Sequence, residues 1–246
     1  MIENIKILGF APYGTFSGFE KSFFSAIEKQ GAIVDNIVVE LKIFKFLCTL
    51  KTISLNRSRW GLKRDLAYNI SIDAFKRKSE FAREKTIKSI KDFDVIYQIG
   101  SFWNPVPDGC SKPFVLNVDY TNILSERRNS NWKLKPGAQK DFWIKEENIL
   151  FSRADCICAT TMNAKESIVE DYAIPERKVV VVGAGVTSPF DVLDPNRKPA
   201  YDSNKILFVG KGSSSGKGLD VLLSSFSIVK NNFSILLYLQ STTIIL

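Results

Sequence analysis

The sequence has no histidine among its 246 residues. Every Ser-His-Asp or Cys-His nucleophile system and every histidine-ligated metal site is therefore excluded, because each needs an imidazole. Only four cysteines occur, and the one close pair, Cys156 and Cys158, has the spacing Cys-x-Cys with no second pair to match it. That pattern does not predict a zinc site, and we expect buried thiols in a reducing compartment instead.

Long apolar runs are missing as well. No stretch approaches the roughly 18 apolar residues that cross a bilayer, and the first residues lack the basic and apolar regions of a signal peptide. We therefore expect a cytoplasmic protein. The 34 Lys and Arg outnumber the 26 Asp and Glu, a net charge of +8. This charge favours an anionic partner without choosing between nucleic acid, a membrane surface and phosphorylated substrates.

Short apolar segments alternate with helical patterns through the first 186 residues. Continuous apolar runs are typical of parallel strands covered on both faces, so the alternation predicts an α/β fold. The predicted strands are 5–10, 94–100, 114–118, 154–159 and 178–182. The predicted helices are 72–91, 141–153 and 164–172, with a further one that follows the glycine-containing loop 9–18 and ends at Gly31.

Residues 187–204 carry three prolines among polar residues and no periodicity, which predicts a linker between domains. The alternation then restarts with a strand at 205–209, a glycine and serine loop, a helix from Leu219 and a strand at 234–239. Only 42 residues follow position 204, whereas a self-sufficient Rossmann-like domain needs roughly 100. We therefore predict a complete domain at 1–186, a linker at 187–204 and the truncated start of a second domain at 205–246.

The glycine loop 210–218 lies between a predicted strand and a predicted helix, where backbone N–H groups and the helix dipole favour an anion. It is not a P-loop, because Lys211 stands where that motif has its first glycine and Gly218 where it has Ser or Thr for magnesium. A dinucleotide fingerprint also fails, since Ser215 replaces its third glycine. The two lysines, Lys211 and Lys217, still predict a phosphate-binding role, with a purely structural turn as the alternative.

Several segments, taken in order, resemble one family. The sequence ILFVGK at 206–211 followed by KGLDVLL at 217–223 is similar to the donor-domain opening of the GT-B glycosyltransferases, and more narrowly of the retaining group known as glycosyltransferase family 4. The segment KVVVVGAGV at 178–186 resembles that family's passage into its linker, and SGFE at 17–20 resembles its Gly-Gly-x-Glu loop. The order and spacing of these motifs are more specific than any one of them.

The resemblance implies a GT-B fold, in which two Rossmann-like domains face each other. It implies retaining hexosyl transfer from a nucleotide-diphosphate sugar to a glycan or lipid-linked acceptor, with no organic cofactor and no obligatory metal. By the same resemblance, Gly210, Lys211 and Lys217 bind the donor diphosphate, and Gly18 approaches it from the N-terminal domain. Lysine at the family's usual arginine position keeps the charge but loses the bidentate fork.

Departures from the family pattern concern catalysis. The family's N-domain histidine is absent, and Asp119, which follows the predicted strand 114–118, is the candidate catalytic and acceptor-site residue, with a turn or helix cap as the alternative. The family's Glu-x7-Glu segment, which contacts the donor sugar, does not occur before residue 246, so we expect a fragment that is inactive alone. A non-catalytic remnant or a partner subunit is the alternative.

The segment 42–91 is strongly basic, with 14 Lys and Arg against four acids, and apolar residues are interleaved with the charges. Three interpretations stay open. The segment docks on an anionic membrane near a lipid-linked acceptor, binds nucleic-acid phosphates, or forms a solvated helical face above core residues. No RNA-binding strand motif, zinc pattern or helix-turn-helix is visible, which argues against nucleic acid. Under the first interpretation the protein is peripheral on the inner face of a membrane.

Overall fold

The computed structural model describes residues 4–12, 19–127, 134, 136–183, 205–209, 218–230 and 236–240. The chain divides into two compact units, Met1–Thr187 and Ser188–Leu246. The strands of the first unit are β1 (Lys6–Pro12), β2 (Ile33–Val39), β3 (Val95–Ile99), β4 (Phe114–Val118), β5 (Cys156–Ala159) and β6 (Val179–Val181). Its helices are α1 (Phe19–Glu28), α2 (Lys42–Lys51), α3 (Arg57–Asn69), α4 (Ile72–Ser89), α5 (Asn122–Arg127), α6 (Ala138–Arg153) and α7 (Met162–Glu170).

The six strands form one sheet in the order β2-β1-β3-β4-β5-β6, and every neighbouring pair is parallel. The α/β fold predicted from the apolar runs is confirmed, and the parallel sheet is Rossmann-like, as the resemblance implied. The chain winds from β1 to β2 on one side and from β3 outward on the other, so the strand order reverses between β1 and β3. In open parallel sheets, ligands bind outside the carboxyl ends of the strands at such a reversal.

Two apolar clusters cover the two faces of this sheet, because successive strand residues point to opposite sides. The larger cluster includes Leu8, Ile96 and Leu116 together with buried residues of α4, α6 and α7. The smaller one lies under α1, where Phe24 packs against Ile7 and Tyr97. Trp103 and Trp143 are fully buried in the larger cluster, so neither ring is exposed to stack on a ligand.

Side-chain caps fix where several helices begin. The Asn56 side chain accepts a hydrogen bond from the backbone N–H of Arg59 at the start of α3, over 3.0 Å. Ser71 does the same for Ala74 in α4, and Thr161 for Ala164 in α7, each over 3.1 Å. These side chains satisfy backbone donors that a helix's first turn leaves unpaired.

The described part of the second unit is a strand, helix, strand motif made of β7 (Lys205–Val209), α8 (Leu219–Lys230) and β8 (Leu236–Gln240). The two strands pair in parallel, with Lys205 opposite Leu236 and Val209 opposite Gln240. Gly218, immediately before α8, has a positive φ of 73°, a conformation that glycine adopts without steric cost. Among all the described residues, no helix is both long and apolar enough to cross a membrane.

Candidate functional site

The candidate site is the carboxyl edge of the sheet in the first unit, where the loops after β3, β4 and β5 meet. These loops begin at Gly100, Asp119 and Thr160. The loop after β1 contains Gly18, which lies outside the described residues, as do Gly210, Lys211 and Lys217 of the second unit. The donor-binding residues predicted from the sequence therefore stay predictions.

Asp119 directly follows β4, so the structure places it at this edge, as expected for a candidate site residue. Although the residue is exposed, the protein around its carboxyl group keeps part of the water away and thereby raises its pKa. Hydrogen bonds from the backbone N–H groups of Asp119 and Tyr120 favour the charged form and oppose that shift. Asp119 thus presents a solvent-accessible carboxyl group that holds a proton more tightly than an ordinary aspartate does.

A buried carboxylate, Glu147 of α6, lies behind the loops and joins them. Its Oε1 accepts a hydrogen bond from Ser101 Oγ (2.7 Å), in the loop after β3. Its Oε2 accepts two from Asn122, the first residue of α5, through the backbone N (3.0 Å) and Nδ2 (3.1 Å). The Tyr172 hydroxyl, just beyond α7, also donates to Oε2. One side chain therefore ties together the segments that follow β3, β4 and α7.

The environment of Glu147 pulls its pKa in two directions. Complete burial raises the pKa, because the charged form loses its water. Hydrogen bonds from Tyr172, Asn122 and Ser101 favour the charged form and partly offset that rise, which leaves the pKa above its usual range. Glu147 does not reach the open edge, so we assign it as a positioning residue that holds the loops on either side of Asp119.

Gln98, a fully buried residue of β3, forms hydrogen bonds with the loop that follows this strand. Its Nε2 donates to the carbonyl oxygens of Gly100 (2.6 Å) and Trp103 (2.8 Å). The N–H of Gly100 donates to the carbonyl of Asn117 on β4, over 2.8 Å. The loop at the strand reversal is therefore fixed by hydrogen bonds to its own strand and to its neighbour.

Gly100 is expected to resist substitution. Its φ is +80°, and an added Cβ would lie 2.7 Å from the Phe102 ring. A left-handed conformation costs an L-residue about 1–2 kcal/mol, and displacement of the ring adds to this, so Gly100→Ala should destabilise the protein. Gly61→Ala is the matched control, because that α3 glycine has no neighbour within 4 Å of an added Cβ, and alanine should stabilise the helix by about 0.5–1 kcal/mol. Urea unfolding of both variants tests the contrast, which fails if they shift in the same direction.

The metal-ligating groups of the described residues are scattered. No cluster of three or more Asp, Glu or Cys side chains that could hold a metal ion occurs among them. All four cysteines are free. Cys48 is buried as expected, whereas Cys110, Cys156 and Cys158 are only half-buried. Cys156 and Cys158 lie on one face of β5, and Ile157 and Ala159 are buried in the core on the other.

Comparison with known proteins gives structural likeness but no sequence match. No protein-family model matches the sequence, and no curated protein matches it either. Among solved structures, a glycosyltransferase from Rickettsia africae ESF-5 is similar over 98% of this chain and 69% of its own, with a TM-score of 0.47 and 13% sequence identity. At this level of similarity neither a reaction nor a substrate passes from one protein to the other.

Proposed function

We propose that the protein is a glycosyltransferase that moves a hexosyl group, with retention, from a nucleotide-diphosphate sugar to a glycan or lipid-linked acceptor. The observation that carries the proposal is the junction between β7 and α8, where the sequence has two lysines between the end of the strand and the N-terminus of the helix. Backbone N–H groups and the helix dipole favour an anion at such a junction. The proposal rests on this junction and on the order of the sequence motifs around it.

In this proposal the two units have different tasks. Residues 1–186 form the acceptor domain, 187–204 are a linker, and the part from residue 205 binds the donor. Lys211 and Lys217 offset the negative charge that grows on the departing nucleoside diphosphate, while Gly210 and Gly18 let the backbone approach it closely. Asp119 contacts the acceptor hydroxyl, and its raised pKa suits a group that shares a proton with an alcohol.

The donor substrate is the only small molecule that the proposal requires. It includes no organic cofactor and no obligatory metal, because the charge of the two lysines takes the part that a cation would play. The proposal includes that the protein works in the cytoplasm. A lipid-linked acceptor implies peripheral contact with the inner face of an anionic membrane.

The proposal is tested by calorimetric titration of the chain with uridine, guanosine and adenosine diphosphates. At least one should bind, and Lys217→Ala should weaken that binding about tenfold or more, since a charge-assisted contact to phosphate is lost. Lys145→Ala, which removes an exposed lysine from α6, and Asp119→Asn, which alters the acceptor side alone, should both leave the affinity unchanged. Absence of binding to all three nucleotides, or equal losses in Lys217→Ala and Lys145→Ala, would contradict the proposal.

A further inference from the structure

Helix α2 carries an apolar stripe on its outer surface, formed by Ile43, Phe46, Leu47 and Leu50. These side chains are 79%, 61%, 43% and 48% exposed. Their spacing of three, one and three residues places them on one face, within an arc of about 100° at 3.6 residues per turn. Helices of globular proteins normally turn such a stripe toward the core, so the α2 stripe is an apolar face without a partner among the described residues.

The exposure of the stripe does not result from an inverted helix, because the opposite face of α2 packs against the rest of the first unit. Cys48 is buried there, and the Phe44 ring lies 6.0 Å from that of Tyr68. Trp60 Nε1 of α3 donates to the Thr49 carbonyl over 3.2 Å. The helix thus has one apolar face in the protein and a second one in solvent.

Three more exposed apolar side chains follow the α2 stripe in the sequence. Ile53 is 67% exposed and Leu55 fully exposed in the connection from α2 to α3, and Leu62 on α3 is 54% exposed. Scattered single apolar residues are normal on protein surfaces. Here, however, seven exposed apolar residues lie within the segment formed by α2, α3 and the connection between them. Such concentrations mark surfaces that bind an apolar partner.

Cations surround the stripe. Residues 42–64 contain seven Lys and Arg and no Asp or Glu. Five of the cations are exposed and form no ion pair among the described residues: Lys42, Lys51, Arg57, Arg59 and Lys63. On a helical projection, Lys42 and Lys51 lie about 40° beyond the two edges of the stripe, so positive charge borders it on both sides.

An anionic lipid surface matches both properties. A nucleic acid attracts the cations but gains nothing from Ile43, Phe46 or Leu50. An anionic bilayer accepts apolar side chains at its acyl boundary and attracts each nearby Lys or Arg by about 1 kcal/mol. We propose that the α2 stripe and its bordering cations dock this chain on an anionic phospholipid surface, with α2 parallel to the membrane plane.

The docking surface adjoins the edge that carries the candidate site. Strand β2 ends at Val39 and α2 begins at Lys42, so α2 leaves the sheet at the carboxyl edge. Asp119 follows β4 at the same edge. The inference concerns a surface of the first unit and needs neither a nucleotide sugar nor a transfer reaction.

Sedimentation with vesicles tests the docking surface. The full chain should bind vesicles of phosphatidylcholine mixed with phosphatidylglycerol, bind phosphatidylcholine alone far less, and lose affinity as salt rises. The double variant F46Q/L50Q should bind at least about tenfold less, because it removes two apolar side chains that the membrane would bury. The matched control is I87Q/I149Q, which changes two exposed isoleucines of α4 and α6 and should bind like the native chain.

The charges are tested in the same assay. Lys51→Glu with Arg57→Glu should abolish the preference for anionic lipid, while Lys145→Glu on α6 should not. All variants change exposed side chains, and unchanged thermal unfolding checks that they are folded. A stripe-dependent dimer in analytical ultracentrifugation without vesicle binding, salt-sensitive duplex binding without vesicle binding, or equal vesicle binding by F46Q/L50Q and I87Q/I149Q would each overturn the proposal.

Discussion

Replacement of Glu147 by alanine is expected to lower the free energy of unfolding by roughly 2–4 kcal/mol. The change would leave four donors without their acceptor: the buried hydroxyls of Ser101 and Tyr172 and the partly buried backbone and side-chain N–H groups of Asn122. A buried polar group left unpaired costs about 1–3 kcal/mol. The alanine variant no longer has the cost of burying a carboxylate. The expected loss is therefore smaller than the combined cost of four unpaired donors.

Glu147→Gln is the matched control for the network. A glutamine can place its carbonyl oxygen at the Oε2 position, toward Asn122 and Tyr172. Its amide group can donate to the Ser101 hydroxyl, which then accepts. We expect a loss below about 1 kcal/mol, since every buried group keeps a partner. Equal losses in the alanine and glutamine variants, measured by urea unfolding, would show that the hydrogen bonds are not what stabilises these loops.

The pH dependence of stability, compared between the native chain and Glu147→Gln, separates the effect of the Glu147 charge from that of its packing. Burial raises the pKa of Glu147, so the folded chain holds a proton over a range in which the unfolded chain has already released it. The free energy of unfolding of the native chain should therefore fall, relative to Glu147→Gln, as pH rises through that range. Below the ordinary carboxyl range both states are protonated and the difference should level off.

Much of the sheet could be predicted because its central strands are continuous apolar runs. The expected strand 114–118 coincides with β4. The expected strands 5–10, 94–100, 154–159 and 178–182 overlap β1, β3, β5 and β6, respectively. Strand β2 went unrecognised because Asp35 and Asn36 interrupt its apolar pattern. As an edge strand, β2 pairs only with β1 and leaves most of its residues exposed or half-exposed, so burial did not select for that pattern.

The site was less predictable than the sheet. Asp119 could be proposed from the resemblance, because it follows a predicted strand in the region where the family has its N-domain histidine, and its role stays a prediction. Glu147 could not, since its partners Ser101 and Asn122 are 46 and 25 residues away in the sequence. The one local signal was its place at helical spacing among the buried Trp143, Leu150 and Phe151, where a carboxylate needs partners.

Lys78 on α4 is the second residue for which we expect a large effect. It is only 3% exposed, its Nζ donates to Asn69 Oδ1 over 3.1 Å, and it lies 4.2 Å from the centre of the Tyr68 ring. Burial lowers its pKa to about 7, an effect that the neighbouring Cys48 opposes and Lys45 reinforces. The position lies beneath α2, on the side that faces away from the α2 stripe.

The lowered pKa predicts how stability depends on pH. Between about 7 and the ordinary lysine value of 10.5, the unfolded chain binds a proton that the folded chain does not. Stability contributed by this group should therefore rise as pH increases across that window and be lowest below pH 7. Because each tenfold difference in proton affinity between the two states is worth about 1.4 kcal/mol, the full change is on the order of 3–5 kcal/mol.

Lys78→Met roughly keeps the length of the side chain and removes the titrating group. Its free energy of unfolding should therefore exceed that of the native chain by the largest amount at neutral pH, and the excess should shrink toward pH 10. Lys76→Met, on the exposed side of the same helix, is the control and should show no such trend. Tyr97, a buried phenol whose pKa is raised by burial, is common to every variant and cancels in the difference. A difference between native and Lys78→Met that stays constant from pH 7 to pH 10 would mean that Lys78 remains charged in the folded protein and is stabilised by Asn69 and Tyr68 instead.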